Sequence, residues 1–138
     1  FLWEHSLDYD HGTGHGVGVF SNVHQGPQAI SRINTVPLNP GMILSVEPGI
    51  YLEGKLGIRL ENLVYIKKKS GKPRQKKEFL EFETLTLVPF EKKLIEKDLL
   101  SRDELLWLNS YHYNVHNKLS PFLNVSERTW LRDACRIL

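Results

Sequence analysis

His11-Gly-Thr-Gly-His-Gly-Val-Gly-Val-Phe-Ser-Asn-Val-His24 is the stretch on which the reading of this chain turns. Three of the six histidines fall in these fourteen positions, interleaved with Gly12, Gly14, Gly16 and Gly18. In a helix each such glycine would cost about 1 kcal/mol relative to alanine, so an extended or looped backbone is expected. Imidazoles ligate metals and move protons near neutral pH, and glycine lets a backbone come close to a ligand. On extended chain His11 and His15 share a face but stand about 13 Å apart, at roughly 3.3 Å per residue. They cannot easily grip one ion together. One is expected to be a ligand and the other to act elsewhere in the same cleft.

Working outward, residues 1–10 carry Leu2, Trp3 and Leu7 as core anchors and read as a brief helix end. Residues 25–41 are rich in turn formers and read as a loop. Met42 to Glu47 reads as a strand with Leu44 and Val46 on one face and Ile43, Ser45 and Glu47 on the other. Pro48-Gly49 ends or kinks it, Ile50 to Leu52 resumes extended chain, and Glu53-Gly54-Lys55 supplies a turn. Gly57 to Lys67 reads as one further strand, with Arg59, Glu61 and Leu63 sharing a face. A hairpin-like return brings Glu47 and Glu61 close on neighbouring strands, where two carboxylates repel unless a cation or proton joins them. The histidine stretch and these two carboxylates together predict part of a metal site.

Leu80 to Pro89 is a third strand candidate, and beyond it the pattern turns helical. Ser101-Arg-Asp-Glu104 is a capping-box pattern. Trp107, Tyr111, Val115 and Leu119 then recur at four-residue spacing until Ser120-Pro121 ends the helix. A shorter helix from about Ser126 is expected to bury Trp130, Leu131 and Ala134. His112 and His116, one turn apart, read as a partly exposed helix face rather than a metal grip, and Cys135 as a small buried apolar residue.

Composition bounds the function. At 138 residues with 41% hydrophobic and 25% charged residues, the chain suits one ordinary globular domain. No apolar run approaches the roughly 20 residues that span a bilayer, so no membrane partner is expected. Seven cations stand at Lys67–Lys69, Lys72, Arg74, Lys76 and Lys77; taking them from the net +2 leaves −5 on the rest. This run lacks interleaved aromatics and reads as a solvated loop, so no nucleic-acid partner is expected. The single cysteine excludes an intramolecular disulfide and suits a reducing, cytoplasmic setting. The chain starts at Phe1 with Met42 as its only methionine, and Phe-Leu-Trp-Glu-His lacks the regions of a signal peptide.

Four motifs in order now carry a resemblance. His11-Gly-Thr-Gly-His-Gly-Val-Gly18, Asn22-Val-His24-Gln-Gly-Pro27, Pro40-Gly-Met-Ile-Leu-Ser-Val-Glu47-Pro-Gly-Ile-Tyr51 and Gly57-Ile-Arg-Leu-Glu61-Asn62 resemble Xaa-Pro aminopeptidase, or aminopeptidase P, of the pita-bread metallopeptidases. Glu83-Thr-Leu-Thr-Leu-Val-Pro89 and Trp107-Leu-Asn-Ser-Tyr-His-Tyr113 resemble that family's C-terminal region. The resemblance implies an α+β fold, the C-terminal portion of a pita bread: an antiparallel sheet followed by C-terminal helices. Residues 1–90 would be the C-terminal half of the catalytic domain and 91–138 a helical extension.

The resemblance further implies that His15, Glu47 and Glu61 are ligands of two divalent metal ions, manganese first, with cobalt or zinc in other members. His11 and His24 would line the cleft that takes a peptide with proline in second position, and Glu47 would also shuttle protons. Arg59, two residues before Glu61, is expected to steady that carboxylate. The family's site also uses two aspartates that precede the histidine stretch, and Asp8 and Asp10 lie too close to His11 to supply them. The expectation is therefore a fragment of the enzyme, inactive alone, which works with a complementing N-terminal fragment or as a homodimer. The alternatives are a non-catalytic pita-bread interaction module or a decayed remnant. Apolar sheet edges are expected to remain exposed.

Overall fold

The computed structural model describes residues 2–20, 22–70 and 78–138. The chain divides into two compact units, Phe1–Thr86 and Leu87–Leu138.

The first unit is built on β3 (Ile43–Val46). A short 3-10 turn, Leu2–His5, precedes the glycine-rich segment, which is extended as expected and contains β1 (Gly14–His15). Within the region read as a loop, Ala29–Ile30 forms a two-residue strand, β2, paired antiparallel to β1. The segment around β1 also runs antiparallel along β3, with Glu47 N–H donating to Thr13 O (2.7 Å) and Val17 N–H to Ile43 O (3.2 Å). Gly14 makes this approach possible: a Cβ there would lie 1.9 Å from Ser45 O, which is backbone and cannot step aside.

On the other side of β3 lies β6 (Asn62–Lys68), and beyond it β7 (Leu80–Thr84), giving the antiparallel order β3–β6–β7. The expected single strand from Gly57 to Lys67 is interrupted at Leu60–Glu61. Its first part, β5 (Leu56–Arg59), pairs with β4 (Gly49–Leu52), and its second part is β6. The interruption shifts nothing. β3 and β6 pair down to Val46–Asn62, Leu60 N–H donates to Pro48 O at 3.1 Å, and the pairing resumes at Gly49–Arg59 in the same register. Pro48 has no N–H to return, so one rung of an otherwise continuous hairpin is incomplete. Glu47 and Glu61, each one residue past the Val46–Asn62 pair, stand opposite each other at that gap.

Leu44, Val64 and Ile66 form the buried core of this unit, with Ile30, Leu38, Met42 and Val46 against them. Each fully buried aliphatic side chain contributes about 1.5–3 kcal/mol. Lys67 and Lys68 lie in β6 rather than in a loop, Lys67 bridging Glu81 (3.3 Å) and Glu83 (2.6 Å) of β7. The strand wins there because the acids of β7 stand across from the lysines. The remainder of the basic run, 71–77, lies outside the described residues. Phe79, Phe82 and Leu85 are exposed beside the β7 edge.

In the second unit, α1 (Arg102–Leu119) starts at the expected capping box: Ser101 accepts from Glu104 N–H while Glu104 accepts from Ser101 N–H. A second capping box, Asn124 with Glu127, opens α2 (Val125–Ala134) one residue before the expected start. Tyr111, Val115 and Leu131 are its buried core, with Phe90, Leu119 and Leu123 packed on them. Trp130, expected inside, is 65% exposed, because α2 turns only its Leu131 side inward and the neighbouring position points away. His112, expected on a partly exposed face, is fully buried at 0%. Its Nε2 accepts the Phe90 N–H at 3.0 Å, and Tyr111 Oη donates to Val88 O (2.8 Å), so two consecutive helix residues hold segment 88–90. Among the described residues no helix is long and apolar enough to cross a membrane.

Candidate metal centre

Side chains alternate along a strand and coincide across an antiparallel pair. Ser45, Glu47 and Tyr51 on one arm of the hairpin therefore share a face with Arg59 and Glu61 on the other. The segment around β1 adds His15. Glu47 is buried, 7% exposed, and its carboxylate has a partner on each oxygen. Oε1 accepts from Ser45 Oγ at 3.0 Å and faces His15 Nε2 at 3.1 Å; Oε2 meets Arg59 Nη1 at 3.2 Å.

The tautomer of His15 decides what this contact means. Its Nδ1 lies 3.0 Å from Gly16 O, and a carbonyl can only accept, so Nδ1 carries the proton. In the neutral ring Nε2 is then a lone pair directed at a carboxylate oxygen. Two acceptors at 3.1 Å need a cation or a proton between them. A ring fixed by Nδ1–H on a backbone carbonyl is also how ligand histidines are ordinarily oriented. Two donors each about 2.1 Å from one ion, at right angles, lie about 3 Å apart.

His24 reaches the same place because the chain folds back after Gly18. Gly18 N–H donates to Asn22 O and Gln25 N–H to Gly16 O, both at 2.8 Å. The His24 ring then lies on the His15 ring, centroids 4.1 Å apart. His11 is not in this cluster. Its Nδ1 is held by Gly12 O (2.8 Å) and its Nε2 by the Tyr51 hydroxyl (2.8 Å). Tyr51 Oη also accepts from Arg59 Nε at 3.0 Å, which links His11 through Tyr51 and Arg59 to Glu47. The ring gains its place from Gly49, where a Cβ would meet Tyr51 Oη at 2.4 Å.

Arg59 was expected to steady Glu61; its ion pair runs to Glu47, and the Glu61 charge also acts on its guanidinium. The Tyr51 hydroxyl first, then the Glu47 and Glu61 charges, hold the Arg59 guanidinium above its usual pKa. Glu61 itself is exposed. Among the described residues no group of three His, Cys, Asp or Glu side chains converges on one point. Ser45 and Tyr51 are the participants that residue type alone did not single out. Their odd-numbered positions on the face of Glu47 were the available signal.

The family model described as metallopeptidase family M24 matches residues 1–68, and that described as the C-terminal region of peptidase_M24 matches residues 78–138. The chain belongs to metallopeptidase family M24. Within it, the similarity runs to the Xaa-Pro aminopeptidases. The probable Xaa-Pro aminopeptidase P of Arthroderma gypseum is 50% identical over 137 residues, 95% of this chain and 22% of that protein. That of Botryotinia fuckeliana is 47% identical over 137 residues, 95% and 21% respectively. The crystal structure of X-prolyl aminopeptidase from Caenorhabditis elegans, described as a cytosolic enzyme with a di-nuclear active site, superposes with a TM-score of 0.90. It is 38% identical, and the match covers 99% of this chain and 23% of that one. The fold is therefore the pita-bread fold, antiparallel sheets followed by helices. The chain spans about a fifth of the length of the curated relatives it matches.

His15 and Glu47 fit two adjacent positions around one ion, by lone-pair direction and by separation. The described residues supply no third convergent donor.

Proposed function

We propose that this chain carries the C-terminal part of the catalytic domain of an Xaa-Pro aminopeptidase, a hydrolase that removes the N-terminal residue preceding proline. The observation that supports this most directly is His15 Nε2 opposed to Glu47 Oε1 at 3.1 Å, a pair that needs a cation or a proton between its two atoms. In this reading residues 1–90 belong to the catalytic part and 91–138 to its helical extension. His15, Glu47 and Glu61 are metal ligands, the ions are two and divalent, manganese first and cobalt or zinc as substitutes, and two further carboxylates come from outside these residues. Bound ions supply an acidified water and a polarised scissile carbonyl.

What the chain's own residues do follows from their contacts. Glu47, held at one oxygen by Ser45 and at the other by Arg59, takes and returns a proton at Oε1, the oxygen that faces His15. His24, laid on His15, and His11, fixed by Tyr51, line the cleft that receives the peptide with proline in second position. Arg59 orients the Glu47 carboxylate through its Oε2. The missing carboxylates come from a complementing polypeptide segment or a second copy, and the protein works in the cytoplasm.

The test is hydrolysis of an Xaa-Pro-Xaa peptide with added manganese. The 138-residue chain alone should show no turnover. A chimera in which it replaces the matched C-terminal part of an Xaa-Pro aminopeptidase relative should hydrolyse the peptide, and His15→Ala in that chimera should abolish it. A folded chimera without activity would overturn the functional reading. Turnover by the isolated chain, lost in His15→Ala, would overturn the claim that its site is incomplete.

A further inference from the structure

Ser45 is the most completely buried polar side chain of the first unit, at 0% exposure, and its hydroxyl has two partners. It accepts the backbone N–H of His15 at 3.0 Å and donates to Glu47 Oε1 at 3.0 Å. One proton and one lone pair are thus both used, and both go to the two residues that face each other across 3.1 Å. The first bond fastens the backbone of His15 to β3 at a position where the flanking contacts, Glu47 to Thr13 and Val17 to Ile43, are ordinary backbone bonds. The second fixes which carboxylate oxygen points at the imidazole. Without it Glu47 would be held at Oε2 alone, by a half-exposed Arg59 that draws the carboxylate away from His15.

We infer that Ser45 is a positioning residue for the metal pair: its hydroxyl sets the separation and orientation of His15 Nε2 and Glu47 Oε1. This deepens the metal reading above and rests on it. The role belongs to the hydroxyl, so threonine, which keeps it, should retain what alanine and valine lose. Valine and threonine have nearly the same shape, and their comparison isolates the hydroxyl from packing.

The experiment is a Co2+ titration of the chimera described above, which supplies the carboxylates from outside these residues, followed by visible absorption, whose band positions and intensities report coordination geometry. It is run on the unsubstituted chimera, His15→Ala, Ser45→Ala, Ser45→Val and Ser45→Thr, each first shown by circular dichroism to be folded. Loss of a hydrogen bond that orients a ligand typically lowers metal affinity about 10–100-fold. Ser45→Val and Ser45→Ala should therefore bind Co2+ at least about tenfold more weakly, with altered bands, while Ser45→Thr stays within about threefold of wild type. If Ser45→Ala does not fold, the valine–threonine pair decides alone. Wild-type affinity and spectrum in folded Ser45→Val, with both changed in His15→Ala, would overturn the role of Ser45 and leave the metal reading standing. An unsubstituted chimera that develops no bands, or bands left unchanged by His15→Ala, would overturn the metal reading and this inference with it.

Discussion

Replacing Gly14 by alanine should cost the first unit at least about 3 kcal/mol, from three strained hydrogen bonds worth about 1 kcal/mol each, with overpacking adding to it. The added methyl would stand 1.9 Å from Ser45 O and 2.9 Å from Ser45 C, where real contacts essentially never fall below 3.0 Å. The segment around β1 must therefore retreat by at least about 1.1 Å, the difference between those two distances. Glu47 N–H to Thr13 O, His15 N–H to Ser45 Oγ and Val17 N–H to Ile43 O, now 2.7, 3.0 and 3.2 Å, would open by a similar amount, past hydrogen-bond range. The His15–Glu47 contact would open with them. Urea unfolding by circular dichroism measures the loss, and amide hydrogen exchange at Glu47 and Val17 localises it. Gly12→Ala is the control, since its methyl would meet nothing closer than 3.8 Å, and it should change stability by no more than about 0.5 kcal/mol. If Gly14→Ala is as stable as that control and its Glu47 and Val17 amides stay protected, the account of how β1 is held on β3 is wrong.

Three other outcomes follow from the contacts. Burial first, and then the Lys92 charge, hold His112 below its ordinary 6.5, so the unfolded chain binds a proton that the folded one refuses. Stability of the second unit should be complete above about pH 6.5 and fall as pH drops below it; thermal unfolding against pH should show that slope, and His112→Leu should flatten it. Asn124→Ala removes the acceptor for Glu127 N–H and should cost about 1 kcal/mol in denaturant unfolding, mostly by fraying the start of α2. Tyr51→Phe removes the hydroxyl between His11 and Arg59 and should shift the His11 ring resonances in NMR spectra while leaving the fold unchanged; unmoved resonances would count against the His11–Tyr51 bond.

Much of this was legible because it is local or periodic. The glycines at every second position excluded a helix, Ser101 and Glu104 announced α1, and the alternation from Met42 to Glu47 placed Glu47 opposite Leu44 and Val46. The ion pair of Arg59 with Glu47 was not foreseen because Glu61 is two positions away along the strand and Glu47 twelve along the chain. The hairpin reverses that order in space. Trp130 and His112 were misplaced for a related reason. A helix of ten residues buries only a narrow stripe, and a fully buried histidine is indistinguishable from an exposed one until a backbone N–H, here that of Phe90, is seen to need it. Ser45 was visible as a residue on the right face, but its role depends on the backbone of His15, thirty positions away.

The uninterrupted register across Pro48 makes the hairpin a measuring device. Its two arms count residues in step from the turn at Glu53–Lys55, and the two glutamates are opposed because both counts agree. Lengthening the turn would alter neither count. One residue inserted or deleted within either arm would carry Ser45 and Glu47, or Arg59 and Glu61, to the opposite side of the ribbon as a group. Sequence drift in this region should therefore accumulate as changes of residue type in the arms and changes of length in the turn, and descendants that break this rule should have lost the reason to keep their carboxylates.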